Sequence, residues 1–296
     1  MASSGFDFIF REIVLKLTWS NFSLDFSKRT YIMGILNVTP DSFSEGGTYF
    51  DKSLAIKRAY EMAGEGADII DIGGESTRPG SEPVSLEEEL RRTIPVIEAI
   101  AKDIKAPISI DTYKSDVAKK ALDAGASMVN DISGLRFDPD MPKVVSQYKV
   151  PVVIMHIKGN PKTMQQKEPV YEALIPEIMD YLRMSIRLAV KFGIDEDKII
   201  IDPGIGFGKT FDHNLEIIKN LHEFTLLEKP VMIGPSRKAF LGKILNDAPA
   251  SERLEGTAAA VAISILNGAN IIRVHDVKEM KKVALVADAV KKGKVK

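Results

Sequence analysis

"VMIGPSRKAF", residues 231 to 240, begins as an apolar strand, Val231 to Gly234, and runs straight into a hydroxyl and two cations, Ser236, Arg237 and Lys238. Polar residues after a strand are ordinary loop chemistry, so the decapeptide by itself reads as a solvated loop. Its meaning comes from its neighbours. The runs "YIMGILN", "ADIIDIGG", "APISIDT", "ASMVNDISG", "VPVVIMH", "KIIIDPG" and "ANIIRVHD" repeat the theme, giving eight β-branched runs with "KPVMIGPS" that break into a polar or Gly-rich turn before a longer helical pattern. Continuously apolar strands separated by helices pair in parallel with both faces covered. Eight such units predict an α/β protein with a single (β/α)₈ TIM barrel, ahead of a doubly wound open sheet.

Gly in "GEGAD", "DAGAS" and "NGAN" stands where a helix ends and the next strand begins. Apolar spacing of three and four predicts helices over Leu86–Ala101, Ser115–Ala124, Tyr171–Phe192 and Ala258–Leu266. The charge run "EEELRR" reads as a solvated helix face. Residues 30–296 form the barrel domain, and residues 1–29 an N-terminal extension. The alternation in "EIVLKLTW" and "FSLDF" predicts a β-hairpin that plugs the N-terminal mouth of the barrel.

The 296-residue chain is 45% hydrophobic and 27% charged, with a net charge of -1, so no global field favours nucleic acid or an anionic membrane. Any anion must be held by a local pocket. No apolar run suits a membrane span and the N-terminus lacks the marks of an export leader, which predicts a soluble, cytoplasmic protein. The absence of Cys excludes thiolate nucleophiles, thiolate zinc sites and disulfides.

Barrel active sites assemble at the C-terminal ends of the strands. The residues there are Asn37, Asp71, Glu75, Asp111, Asn130, Asp131, His156, Asp202, Ser236, Arg237, Lys238, Arg273 and His275. Singly, each Asp is as well explained as a turn former or helix cap; every strand aiming polar groups at one mouth is not. Asp111, Asn130 and Asp202 offer acceptors and an amide, whereas Lys238, Arg273 and His275 offer donors to an anion. One ligand with an amide-rich ring at one end and phosphate at the other satisfies both sets. "GIGFGKT" is a decoy: the leading Gly of a phosphate loop falls on Pro203, and the third Gly of a dinucleotide fingerprint falls on Lys209. The scattered His residues do not suit catalytic zinc. Asn37 and the carboxylates suit a hard ion such as Mg²⁺.

The ordered motifs "MGILNVTPDSFSEGG", "DIGGESTRPG", "SIDTYK", "VNDISG", "MHIKGNPKTMQ", "DPGIGFGK", "GPSRK" and "RVHDV" resemble the dihydropteroate synthase family of the folate pathway, from Phe22 nearly to the C-terminus. The resemblance implies a (β/α)₈ barrel, usually a homodimer, that joins 6-hydroxymethyl-7,8-dihydropterin diphosphate to 4-aminobenzoate. It implies that Asp111, Asn130, Asp202 and Lys238 hold the pterin, and that Asn37, Arg273 and His275 hold the diphosphate with Mg²⁺. Thr77 and Arg78 would close over the diphosphate, Pro79 and Phe207 would line the arylamine slot, and Ser236, beside Arg237, would meet the aminobenzoate carboxylate. The polar loops "NVTPDSFSEGG" and "GGESTRPGSEPVS" are expected to act as lids. Glu45 stands where the family commonly has Asp. Two alternatives fit less well. A corrinoid-linked methyltetrahydrofolate methyltransferase has no need of the cationic strand ends, and a non-catalytic pterin-binding protein could lose Asn37 and "STRPG".

Overall fold

Two short strands open the described chain, β1 (Lys16–Trp19) and β2 (Phe22–Asp25), an antiparallel hairpin in which Leu17 pairs with Leu24. Their alternation puts Leu17, Trp19 and Leu24 on one buried face, with Phe26 following. The computed structural model describes residues 16–39 and 52–294. Glu45, most of the loop "NVTPDSFSEGG" and residues 1–15 lie outside the described residues.

Each of the eight β-branched runs becomes a strand: β3 (Tyr31–Asn37), β4 (Ile69–Gly73), β5 (Ile108–Asp111), β6 (Met128–Asp131), β7 (Val152–Met155), β8 (Ile199–Asp202), β9 (Met232–Ile233) and β10 (Ile271–Val274). All pairings are parallel, each strand beside its successor from β3 to β8, while β10 lies between β3 and β9. One bridge, Ile201 to Val231, closes the ring between β8 and β9, supported by the Ile201 N–H donating to the Pro230 carbonyl at 2.9 Å. The fold is the expected TIM barrel.

Helices α1 (Lys52–Glu65), α2 (Leu86–Ile100), α3 (Ser115–Asp123), α4 (Met141–Tyr148), α5 (Leu174–Lys191), α6 (Phe211–Lys219), α7 (Ala239–Ile244), α8 (Leu254–Leu266) and α9 (Val277–Lys292) cover the outside. Helix α8 begins four residues before the apolar periodicity does. Gly125, at φ +117°, makes the turn from α3 into β6, a backbone conformation that any Cβ would strain.

Strand alternation divides the core. Outward residues such as Ile70, Ile110, Val129, Ile154 and Ile201 pack with the helices. Inward residues of the lower barrel, Met33, Ile69, Met128, Val153, Ile200, Met232 and Ile271, form a second cluster with Leu17, Trp19, Leu24 and Phe26. The hairpin therefore stoppers the N-terminal mouth with apolar side chains. Two residues further along each strand, the same inward face reaches the opposite mouth.

Candidate active site

That face carries Asp71, Asp111, Asn130, Asp202 and Arg273. Its geometry follows from period-two alternation: an inward Ile69 makes Asp71 inward, and an inward Ile271 makes Arg273 inward. The same rule turns Asp131 outward, where its carboxylate accepts from the Ser133 and Leu135 backbone N–H groups and shapes the loop after β6.

The centre of the mouth is a buried ion network. Arg273 donates through Nε to Asp71 at 2.7 Å and through Nη2 to Asp111 at 2.5 Å. The same Asp71 oxygen accepts from the Asn130 amide at 2.9 Å. A carboxylate only accepts, so the Asn130 NH₂ must face Asp71 and its carbonyl is left for a ligand. The other oxygens, Asp71 Oδ1 and Asp111 Oδ1, are buried without a partner among the described residues. Such atoms are costly to leave unpaired, and the one on Asp111, which lines the cavity, marks where a donor of a ligand belongs.

Burial shifts the titration of these groups. It lifts the Asp111 carboxyl to about 7 against the pull of Arg273, and Asp202 to about 6 against the hydrogen bond from the Gly204 N–H. Burial, and then Arg273, brings the Lys238 ammonium down to about 8. Although burial disfavours its charge, Asp71 and Asp111 hold the Arg273 guanidinium above its ordinary range. Lys238 lies 4.4 Å from the Phe207 ring centre, a cation–π contact.

Asp111, Asn130, Asp202, Lys238, Arg273, Thr77 and Phe207 line one cavity of about 370 Å³, with Ile132 and Met155 supplying apolar wall. Its mixed polar and apolar lining suits a small heterocycle. The other expected site residues stand around it. Arg78 and Pro79 are exposed on the loop after β4, and Asn37 ends β3.

Two expected site residues have protein partners in this structure. Ser236 accepts from the His275 backbone N–H at 3.2 Å and lies 2.9 Å from Nδ1, so it orients that imidazole. Arg237 adopts φ +58° and pairs with Asp276 through Nε and Nη2. His275 is neutral, since burial and then Arg273 and Arg237 push it down to about 3. Arg273 also crosses the expected division between ring-binding and anion-binding groups.

The run "EEELRR" is not a solvated face throughout. Glu89 is 1% exposed and shares Lys114 with Glu75, each at 2.5 Å, and Arg92 donates to the Gly74 carbonyl at 2.8 Å. Glu75 further accepts from the Val84 N–H and the Tyr113 hydroxyl. This network pins both ends of the 74–84 loop. The signal for it was positional: in a βα unit the first turn of the helix lies at the catalytic mouth.

Among the described residues no cluster of three or more His, Cys, Asp or Glu forms a metal cage. Among the described residues the Asn37 amide oxygen is one candidate donor, and one or two protein oxygens plus substrate phosphate is how Mg²⁺ is commonly held. The residues thus fit an ion that comes with a diphosphate.

The family described as "Pterin binding enzyme" matches residues 33–275. A dihydropteroate synthase of a Synechocystis species is 51% identical over 265 residues, covering 90% of this chain and 91% of that protein. A Xanthomonas albilineans dihydropteroate synthase solved with 4-aminobenzoic acid superposes with a TM-score of 0.87 at 40% identity, covering 94% of this chain and 98% of that one. The same organism's enzyme in complex with 7,8-dihydropteroate gives 0.84 at 38% identity, covering 93% and 98%.

Proposed function

Because the chain belongs to the pterin-binding enzyme family, and within it to the dihydropteroate synthases, we propose that this mouth joins 6-hydroxymethyl-7,8-dihydropterin diphosphate to 4-aminobenzoate, yielding 7,8-dihydropteroate and diphosphate. The activity is that of a transferase of folate biosynthesis. The observation that carries the reading is the unpartnered buried Oδ1 of Asp111 beside the freed Asn130 carbonyl, both on the cavity wall. A pterin's amino group and ring N–H groups are the donors such acceptors require.

Asp111, Asn130 and Asp202 hold the ring, and Lys238 donates to its carbonyl or nitrogen. Thr77 and Arg78 close over the diphosphate side, while Pro79 and Phe207 wall the arylamine slot. Arg273 and His275 receive the leaving diphosphate, with Ser236 orienting His275. The carbon–oxygen bond of the pterin methylene breaks and its electron pair departs with the diphosphate. The neutral arylamine then donates its lone pair to the carbon and releases a proton. Mg²⁺, held by Asn37 and the substrate, would supply further positive charge to the departing anion. No covalent bond to the protein is needed, and cationic groups fixed before reaction stabilise charge at little reorganisation cost.

A homodimer is the assembly we favour. Ile263 and Leu266 on α8, with Leu285, Val286 and Val290 on α9, leave large apolar side chains exposed on two helices packed against each other. Sedimentation of the purified chain reads this directly. A cytoplasmic location accords with the absence, among the described residues, of any helix long and apolar enough to cross a membrane.

The test of function is diphosphate release from dihydropterin diphosphate, Mg²⁺ and 4-aminobenzoate. Release dependent on the arylamine is expected. Folded protein that binds the pterin but releases nothing above background would return the chain to the non-catalytic reading.

A further inference from the structure

The decoy motif "GIGFGKT" contains a side chain the reaction leaves unused. Lys209 is 1% exposed and makes no salt bridge among the described residues; burial pushes its ammonium well below the ordinary range, against the pull of Asp202. Its Nζ meets two neutral acceptors, His156 Nδ1 at 2.9 Å and the Phe207 carbonyl at 3.0 Å. His156 is itself neutral, since burial and then Lys209 push it down to about 2, so Nδ1 can accept from the lysine. Hydrogen bonds, not an ion pair, hold this side chain, and they tie the loop after β8 to the end of β7. The glycines of the motif allow that loop to lie flat on the segment after β7. A Cβ at Gly204 would stand 2.0 Å from the His156 carbonyl oxygen, and one at Gly208 would stand 2.3 Å from that of Lys158. Tyr171 donates to the Gly208 carbonyl at 2.7 Å, and the Gln165 side chain donates to the Lys209 carbonyl at 3.1 Å.

We propose that Lys209 is a positioning residue for the arylamine slot: by tying the Phe207 carbonyl to His156, it fixes the Phe207 ring over Lys238 and thereby sets affinity for the aromatic co-substrate. The assignment rests on the synthase reading above. Lys209 bonds the Phe207 carbonyl and is not among the residues that line the cavity, so it acts through Phe207. Asp111 and Asn130 belong to other strands and hydrogen bonds, and Asp202, whose charge Lys209 favours, accepts from the Gly204 N–H and not from Lys209.

Lys209→Met in the full chain keeps the apolar stem and removes the nitrogen. With pterin diphosphate and Mg²⁺ saturating, KM for 4-aminobenzoate should rise roughly five- to tenfold, the worth of a displaced aromatic contact. The Kd of the unphosphorylated pterin alcohol should change less than about twofold. In a Phe207→Ala background, Lys209→Met should add nothing further to KM, because the lysine has lost the group it positions. An unchanged KM, a shift that adds in full to that of Phe207→Ala, or an equal loss of pterin affinity would each overturn the assignment. If Lys209→Met does not fold, His156→Gln removes the anchor from the other side. It should raise the same KM in the same direction, and an unchanged KM for that variant is equally fatal. A parent chain that releases no diphosphate sinks the synthase reading; titrating 4-aminobenzoate into parent and variant loaded with pterin alcohol and diphosphate then decides Lys209 separately.

Discussion

Replacing Asp202 with Asn separates what the carboxylate costs the empty barrel from what it gives a ligand. The folded protein lifts this carboxyl to about 6 from an unfolded reference of 3.8, through burial. A raised value means that the ionised form is disfavoured in the fold. The penalty is therefore fully present above the folded value and fades as the pH falls towards the unfolded one. The gap corresponds to about 3 kcal/mol at about pH 7.5 and to about 1 kcal/mol at about pH 4.5. Asn is neutral and retains an oxygen for the Gly204 N–H, which the carboxylate accepts at 2.7 Å. The ligand-free variant should thus be the more stable protein by up to about 3 kcal/mol at the higher pH, the advantage shrinking to about 1 kcal/mol at the lower. Denaturant melts of both proteins at both pH values measure the difference, in which groups not coupled to Asp202 cancel, while Lys238, whose charge Asp202 favours, shifts with it. Calorimetry with the pterin alcohol should meanwhile show binding weakened by about 1.5–3 kcal/mol, for loss of a charge-assisted acceptor. A variant less stable than its parent by the same amount at both pH values would refute the idea of a disfavoured charge, and unchanged pterin affinity would remove Asp202 from the ligand's acceptors.

Arg273→Ala strips the shared partner from two buried carboxylates; it should cost about 3–5 kcal/mol in a denaturant melt and, by calorimetry, weaken the pterin alcohol as well as the diphosphate. An alcohol bound as tightly as by the parent would restore the strict division of ring and anion sets. Trp19→Ala should destabilise the fold by about 3–5 kcal/mol while leaving both KM values unchanged, since the hairpin closes the mouth opposite the site. With ¹⁸O in the bridge between carbon and phosphorus, and no arylamine present, label should migrate to non-bridging positions as diphosphate departs, turns and recombines. Label confined to the bridge in demonstrably bound substrate favours concerted displacement.

The strand ends are legible from sequence because an unbroken β-branched run can hardly be anything but a strand buried on both faces, and its parity then assigns each following residue a side. Asp111, Asn130, Asp202 and Arg273 meet for that reason. Side-chain commitments are not legible in the same way. Ser236 and Arg237 sit in a strand-end motif, and their partners, His275 and Asp276, lie thirty-nine positions onward. The burial of Glu89 and Arg92 is hidden because their neighbours Glu87 and Arg91 are solvated, and composition averages over the run. The early start of α8 is hidden by Gly256, which interrupts the periodicity; a Cβ there would meet Leu245 at 2.9 Å.

The ring of strands is thinnest where Ile201 meets Val231. Asp202 stands on one bank of that seam, and Gly234 and Lys238 follow from the other. A ligand that reached both Asp202 and Lys238 would span this seam as a clasp spans a bracelet, tying β8 to the loop after β9 where the ring is held by a single backbone bridge.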